Sequence, residues 1–322
     1  MFNDLLSGGA RSKVTNKKLP PVTSCSMRTF LTVVLSVSSL AACTQDLEPR
    51  AYANVPKGTN VAAFVYAFSH GDVLIDPALP IKDFKVSAHN IGLGYVHTFA
   101  LANKLARVQV TAPLIFMSGK LQLNGVDTVG VRNGFGDTRV RFGINILGSP
   151  ALDRKNFRQY QQKFILGTSL VVSVPTGLYY KDKQINLGSH RWALKPEIGV
   201  SKRFKHVYAE AYTGVWFYTE NNEYLVDKTL KQEPVLSLQV HASYYFKNQM
   251  WIGFNGNWFN GGSTLVDDVA TGDLKDNYRI GATWSVPFAK KHSLKLQFHI
   301  GAFTNTGYDY NVVSLGYQYM FF

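Results

Sequence analysis

Leu236-Ser237-Leu238-Gln239-Val240-His241-Ala242-Ser243-Tyr244-Tyr245-Phe246 decides the fold. Apolar side chains recur at every second position, from Leu236 through Tyr244 to Phe246, and Ser237, Gln239, His241 and Ser243 fill the gaps. A period of two puts the two sets on opposite faces of a β-strand, and no single face of a helix could collect either set. The pattern returns in Leu294, Leu296, Phe298 and Ile300 between Ser293, Lys295, Gln297 and His299. It returns again in Val140, Phe142, Ile144 and Ile146 against Arg139, Arg141, Gly143 and Asn145. One face of each run is greasy and the other carries polar groups or full charges.

About twelve such runs are expected, near 60–69, 85–98, 104–118, 135–147, 162–175, 190–203, 206–219, 233–247, 250–260, 277–288, 292–304 and 311–322. Most approach the ~10 residues of a tilted strand that crosses a bilayer. The links alternate in length. Short ones fall at 100–103, 205, 247–249 and 289–291, with a longer one at 149–161. Long polar ones fall at 70–84, 119–134, 176–189, 220–232 and 261–276, with a shorter one at 305–310. Tight turns on one side and long loops on the other describe an antiparallel up-and-down transmembrane β-barrel, and an even strand count leaves both termini on the short-turn, periplasmic side. A soluble sandwich would also alternate. It would not gather aromatic residues near the strand ends of the apolar face, as Trp192, Phe217, Tyr244, Phe246, Trp258, Tyr278, Tyr317, Tyr319 and Phe321 are gathered here. Interfacial girdles account for that placement. The last strand closes on Phe321 and Phe322, similar to the terminal signal read by barrel-assembly machinery, with the alternation one residue out of step.

Composition narrows the alternatives. Mean hydropathy is −0.07, and the longest apolar stretch is the interrupted run Phe30–Cys43. That is short of the ~20 residues a spanning helix needs, which excludes a polytopic helical membrane protein and leaves the barrel untouched. The two cysteines, Cys25 and Cys43, precede residue 45, so the remainder has no disulfide framework, thiolate metal site or cysteine nucleophile. Residues 1–44 read as a signal peptide whose true start is Met27: Arg28 is followed by a short apolar core and by Ala41-Ala42-Cys43-Thr44. Cleavage near Ala42–Thr44 leaves an unmodified terminus, whereas Leu40-Ala41-Ala42-Cys43 also fits a lipoprotein box with Cys43 acylated. Residues 45–322 are expected to form one outer-membrane barrel. Without the leader, the formal charge of +13 falls to +9. In an exported chain this excess points to a lumen or surface facing anionic lipid or solutes, not to nucleic acid.

Gln45 to Asn54 (Gln-Asp-Leu-Glu-Pro-Arg-Ala-Tyr-Ala-Asn), Pro56-Lys57-Gly58, Gly136-Asp137-Thr138-Arg139-Val140-Arg141, Leu147-Gly148-Ser149-Pro150-Ala151 and Asn186 through Gly199 carry a family likeness. With Gly261-Gly262 and Gly307-Tyr308-Asp309 they resemble the MetA-pathway of phenol degradation family across essentially all of 45–322. The resemblance implies an outer-membrane transporter associated with aromatic-compound breakdown. It implies no catalytic residue, and the pathway label is not an activity.

If the greasy faces meet lipid, the interior is lined by Arg107, Gln109, Arg139, Arg141, Arg191, Lys195, Glu197, Glu210, Tyr212, His241, Arg279, Lys295 and His299. An Arg or Lys on the lipid face at midplane would cost about 2–4 kcal/mol. Two readings stay open. Glu197 and Glu210 could pair with Arg139, Arg141, Lys195 or Arg279 and brace a narrow barrel. Alternatively the basic surplus is a ladder for anionic or polarisable solutes, with Tyr208, Tyr212, Trp216 and Tyr245 as stacking faces. The expected partners are therefore outer-membrane lipid, a small-molecule solute such as an aromatic acid, and the assembly machinery, with the barrel monomeric and without cofactor. A lipid hydrolase using His241 or His299 beside Ser237, Ser243 or Ser293 is the enzymatic alternative, although there is no Gly-x-Ser-x-Gly elbow. A non-transporting surface barrel is the third reading. Asp267, Asp268, Asp273 and Asp276 read as an exposed acidic loop, since they lack the ligand spacing of a calcium loop.

Overall fold

The computed structural model describes residues 48–74, 81–123 and 125–322. The expected signal peptide, with Cys25, Met27 and Cys43, lies outside the described residues. The chain runs through β1 (Asn60–Leu74), β2 (Ile81–Leu101), β3 (Lys104–Leu123), β4 (Val126–Phe135), β5 (Thr138–Leu147) and β6 (Phe164–Val174). It continues through β7 (Ala193–Phe204), β8 (Val207–Tyr218), β9 (Asn221–Tyr224), β10 (Lys228–Gln232), β11 (Val235–Tyr245) and β12 (Trp251–Gly261). It ends with β13 (Thr264–Val266), β14 (Val269–Ala270), β15 (Lys275–Ala289), β16 (His292–Phe303) and β17 (Gly307–Phe321).

Each barrel strand pairs antiparallel with its chain neighbour, and the ring closes where β1 meets β17, from Asn60 opposite Phe321 to Leu74 opposite Gly307. β4 and β5 are two halves of one strand, both paired to β3 and interrupted at Gly136-Asp137, so the wall is twelve strands around. The deciding stretch behaves as its period requires. Ser237, Gln239, His241 and Ser243 are buried inside, whereas Leu236, Leu238, Val240 and Tyr244 are exposed outside. Phe254, at 70% exposure, is more open than any of these. A water-soluble core would bury such residues; a wall facing acyl chains exposes them. Trp192, Phe217 and Tyr278 stand exposed at the long-loop end, and Tyr244, Phe246 and Tyr317 at the other.

The short turns match their chemistry. Ala102 and Asn103 both take positive φ, 47° and 60°, in the two-residue connection from β2 to β3, as a primed hairpin turn requires. Several expected loops are strand instead. Most of 70–84 and 119–134 extends β1, β2 and β3 and forms β4, because these strands continue past the membrane zone, where neither face needs to be greasy. A small apolar core of Val73, Phe84 and Val86 holds this extension. The expected loops 220–232 and 261–276 contain a separate four-stranded sheet, β14-β13-β10-β9, around Tyr224, Leu230 and Val266. At the wall break, the Asp137 carboxylate accepts from Gly177 N (3.0 Å), Ser189 N (2.8 Å) and Ser189 Oγ (2.6 Å), tying the 175–192 link into the gap.

Candidate functional site: a lumen occupied by the segment before the first strand

The segment Glu48–Asn54 precedes β1 and lies inside the barrel. It has no periodicity and is held by side chains pointing inward from the wall. Arg50 Nη1 donates to Glu210 Oε1 at 3.0 Å, and the Arg50 backbone N–H donates to Glu210 Oε2 at 2.9 Å. The Arg50 guanidinium lies over the Tyr208 ring at 3.9 Å, and its Nε donates to Tyr245 Oη at 3.2 Å. From the other wall, Arg107 donates to the carbonyls of Ala51 (2.6 Å) and Ala53 (2.7 Å). Asn145 Nδ2 donates to the Tyr52 carbonyl at 3.2 Å.

Tyr52 is the central anchor. It is 1% exposed, its hydroxyl donates to Glu197 Oε1 at 3.0 Å and lies 3.1 Å from Ser169 Oγ, and its ring meets Tyr212 edge-on at 5.1 Å. Gly167 and Gly199 make the slot for that ring: a Cβ on either would fall 2.2 Å and 2.3 Å from Tyr52 ring carbons. Glu197 is also bound by Arg141 and, at 2.9 Å, by Lys195. Arg141 Nη1 reaches Glu48 at 3.1 Å. The group Glu48, Arg141, Glu197, Lys195 and Tyr52 is thus one hydrogen-bonded network. In such a buried network, removing one charge exposes its partner's full desolvation penalty, about 3–5 kcal/mol.

The pairing of Glu197 with Arg141 and Lys195 agrees with the bracing expectation. That of Glu210 does not: its partner is Arg50, not Arg139, Arg141, Lys195 or Arg279. The reason is that the counter-charge comes from a segment outside the strand pattern. The stacking faces differ as well. Tyr208 and Tyr245 are taken up by Arg50 and Tyr212 by Tyr52, whereas Trp216, packed with Val171, Ala193, Val235 and Phe259, borders the lumen cavity, with Arg139 Cζ 5.7 Å and Lys195 Nζ 5.2 Å from its ring centre.

The other inward residues are distributed along the lumen. Arg191 donates to Gln232 Oε1 and packs on Tyr218. Arg279 donates to the Tyr310 carbonyl at 2.9 Å, with its Cζ 3.8 Å above the Tyr310 ring. Lys295 Nζ lies 5.9 Å from the Trp251 ring centre. His241 Nδ1 bonds Asn255 Oδ1 at 2.9 Å, so its partner is an amide, not a serine. His70 Nδ1 and Ser87 Oγ do share a 2.8 Å bond on the outer wall, as directly opposed residues of β1 and β2. That pair lies apart from His241 and His299, the histidines on which the hydrolase alternative rests. The aspartates of 267–276 have separate partners: Lys228 for Asp267, Lys231 for Asp268, Thr264 and Thr271 for Asp273, and Trp258 Nε1 for Asp276.

Among the described residues, three adjoining cavities lie beside the segment. The upper, about 370 Å³, is lined by Val65, Ala67, Pro113, Ile115, Leu187 and Trp216, with Arg139 and His299 among its polar groups. The middle, about 340 Å³, shares Val65, Thr111 and Arg139 with it and reaches Glu48, Arg141, Lys195, Glu197 and Tyr212. The lower, about 230 Å³, shares Glu48, Val65 and Gln109 with the middle one and descends past Val61, Val96, Lys295 and Gln318. The cavities follow the β1–β3 side of the wall, and Glu48 borders both of the lower two. The sequence held one hint of the plug: inward carboxylates Glu197 and Glu210 need buried cations, and Arg50 stands in a segment already notable for its family likeness.

Among solved structures, the chain is similar to the COG4313 outer membrane channel from Pseudomonas putida F1, with 19% identity, a TM-score of 0.74, and coverage of 86% of this chain and 100% of that one. It is more distantly similar to the transport unit of the autotransporter AIDA-I from Escherichia coli (10% identity, TM-score 0.48, 91% and 97% covered). The KdgM porin in complex with disordered oligogalacturonate matches at 10% identity and a TM-score of 0.45, with 81% and 99% covered. No curated protein matches the chain. The family described as "Putative MetA-pathway of phenol degradation" matches over residues 54–318, nearly the whole barrel, and the chain belongs to that family.

Proposed function

We propose that this protein is an outer-membrane channel for small hydrophobic or aromatic solutes, aromatic acids included. The observation that carries the reading is the upper cavity. Its size falls in the range of small-molecule sites, its wall is mostly apolar, and the Trp216 face and the Arg139 guanidinium stand together on it. A ring can stack on the indole while a carboxylate meets Arg139 and, below it, Lys195. The middle and lower cavities continue the route beside the plug, so a solute descends along Glu48 without the whole segment leaving. Family membership and the likeness to an outer membrane channel support the class of function.

Uptake of benzoate and of uncharged toluene into proteoliposomes tests it. Intact protein is expected to admit both, and Arg139→Ala is expected to reduce benzoate uptake several-fold while sparing toluene. Well-folded protein that admits neither would reject the reading. That outcome would favour a non-transporting surface barrel, for which the ion-paired plug is the supporting observation.

A further inference from the structure

The two ends of the barrel carry unequal charge. The links on the short-turn side (102–103, 148–163, 205–206, 246–250 and 290–291) hold eight Lys or Arg and one acid. That acid, Asp153, is occupied by the Asn156 backbone N–H at 2.8 Å. The described segments between barrel strands at the other end (125, 175–192, 219–234, 262–274 and 304–306) hold five Lys or Arg and eight Asp or Glu. The basic excess is therefore concentrated at the short-turn rim, the side that faces the periplasm in outer-membrane barrels.

These cations are exposed and sit at the height of the lower aromatic girdle. Phe204 directly precedes Lys205, Phe246 precedes Lys247, and Phe288 stands two residues before Lys290. Those three rings are 52%, 39% and 58% exposed. Lys202 lies on the outward, lipid-facing register of β7 with Ile198 and Val200, and its Nζ is 5.1 Å from the Phe204 ring centre. Arg154 Cζ lies 4.0 Å above the Phe322 ring. Lys202, Lys205, Lys247, Lys290 and Lys291 form no ion pair among the described residues.

We propose that this rim binds the phosphates of anionic phospholipids in the inner leaflet of the outer membrane, with phosphatidylglycerol as the representative headgroup. A ring in the interface with an ammonium beside it fits a headgroup: the ring occupies the glycerol level and the cation reaches the phosphate. An acidic soluble protein would reach the link residues. It would not reach Lys202 or the outward rings, which stand on the wall itself. Each cation near an anionic surface favours the charged lipid by about five-fold.

Full-length protein in neutral detergent, given equal amounts of phosphatidylglycerol and phosphatidylethanolamine, can be examined by native mass spectrometry. Wild type is expected to retain phosphatidylglycerol at least about five-fold over its neutral counterpart, and about 1 M salt should bring the ratio near parity. A variant with Lys202, Lys205, Lys247, Lys290 and Lys291 each changed to Gln is expected at parity, while Lys181→Gln with Lys183→Gln, at the opposite end, keeps the preference. Heat-modifiable gel migration reports folding of both variants, and the salt series on wild type tests the claim without any variant. Equal retention of the two lipids by wild type, or a preference insensitive to salt, would overturn the proposal. Capture of poly-glutamate without a lipid preference would overturn it too, and would assign the rim to a soluble acidic partner.

Discussion

Tyr52 sits in a slot that two missing side chains create. Gly199→Ala would place a methyl 2.3 Å from one edge of its ring and 2.7 Å from Tyr212, so the ring must leave or the strands must part. Overpacking of this kind costs about 1–3 kcal/mol, and because the segment is more easily moved than the wall, the strain should appear as loss of plug docking. Single-channel recording is expected to show more frequent or larger openings for Gly199→Ala, with the barrel's thermal unfolding little changed. Glu210→Gln acts on the other anchor. It leaves Arg50 buried without its counter-charge, about 3–5 kcal/mol against the docked state. The segment should then become open to added protease in detergent, while the wild-type segment stays protected. Glu197 and Glu210 were legible as inward charges from strand alternation alone. Arg50 and Tyr52 were not legible as their partners, because a segment without periodicity carries no register with the wall that receives it.

At the level of elements, the membrane zone was readable and the extensions beyond it were not. β11 and β16 announce themselves because one face must be greasy and the other polar. The upper parts of β2 and β3, and all of β4, stand where both faces can be wet, so the contrast that marks a strand disappears. β9, β10, β13 and β14 are two to five residues long, too short for any period to show. The β13–β14 turn offers a pH test. Asp267 accepts from the Thr229 backbone N–H at 2.9 Å and from Lys228 Nζ at 2.9 Å, which hold its carboxyl below the ordinary value. A depressed carboxylate contributes stability above its unfolded pKa and loses it as pH falls through the folded one. Amide-exchange protection of Thr229 should therefore be full above about pH 4 and decline below it, and Asp267→Asn should show the reduced protection already at neutral pH. Protection independent of pH would remove Asp267 from the account.

For the whole molecule, four of the five tryptophans divide cleanly by wall face, with Trp258 half-buried. Trp192 and Trp284 are 47% and 46% exposed on the outer surface, whereas Trp216 and Trp251 are buried at 9% and 7% inside. In vesicles of brominated lipid, single-tryptophan variants retaining Trp284 or Trp192 should be strongly quenched, and those retaining Trp216 or Trp251 only weakly. Closure of the twelve-stranded ring explains why β1 must sit against β17, and why a segment attached to β1 at the short-turn side is in place to enter the lumen. Permeability should then be set by that segment and not by the wall. The most direct test is planar-bilayer conductance of wild type against the double variant Arg50→Ala, Tyr52→Ala, with folding monitored in parallel. Small events are expected for wild type and a conductance several-fold larger for the variant; identical conductance from two equally folded proteins would contradict control by the segment.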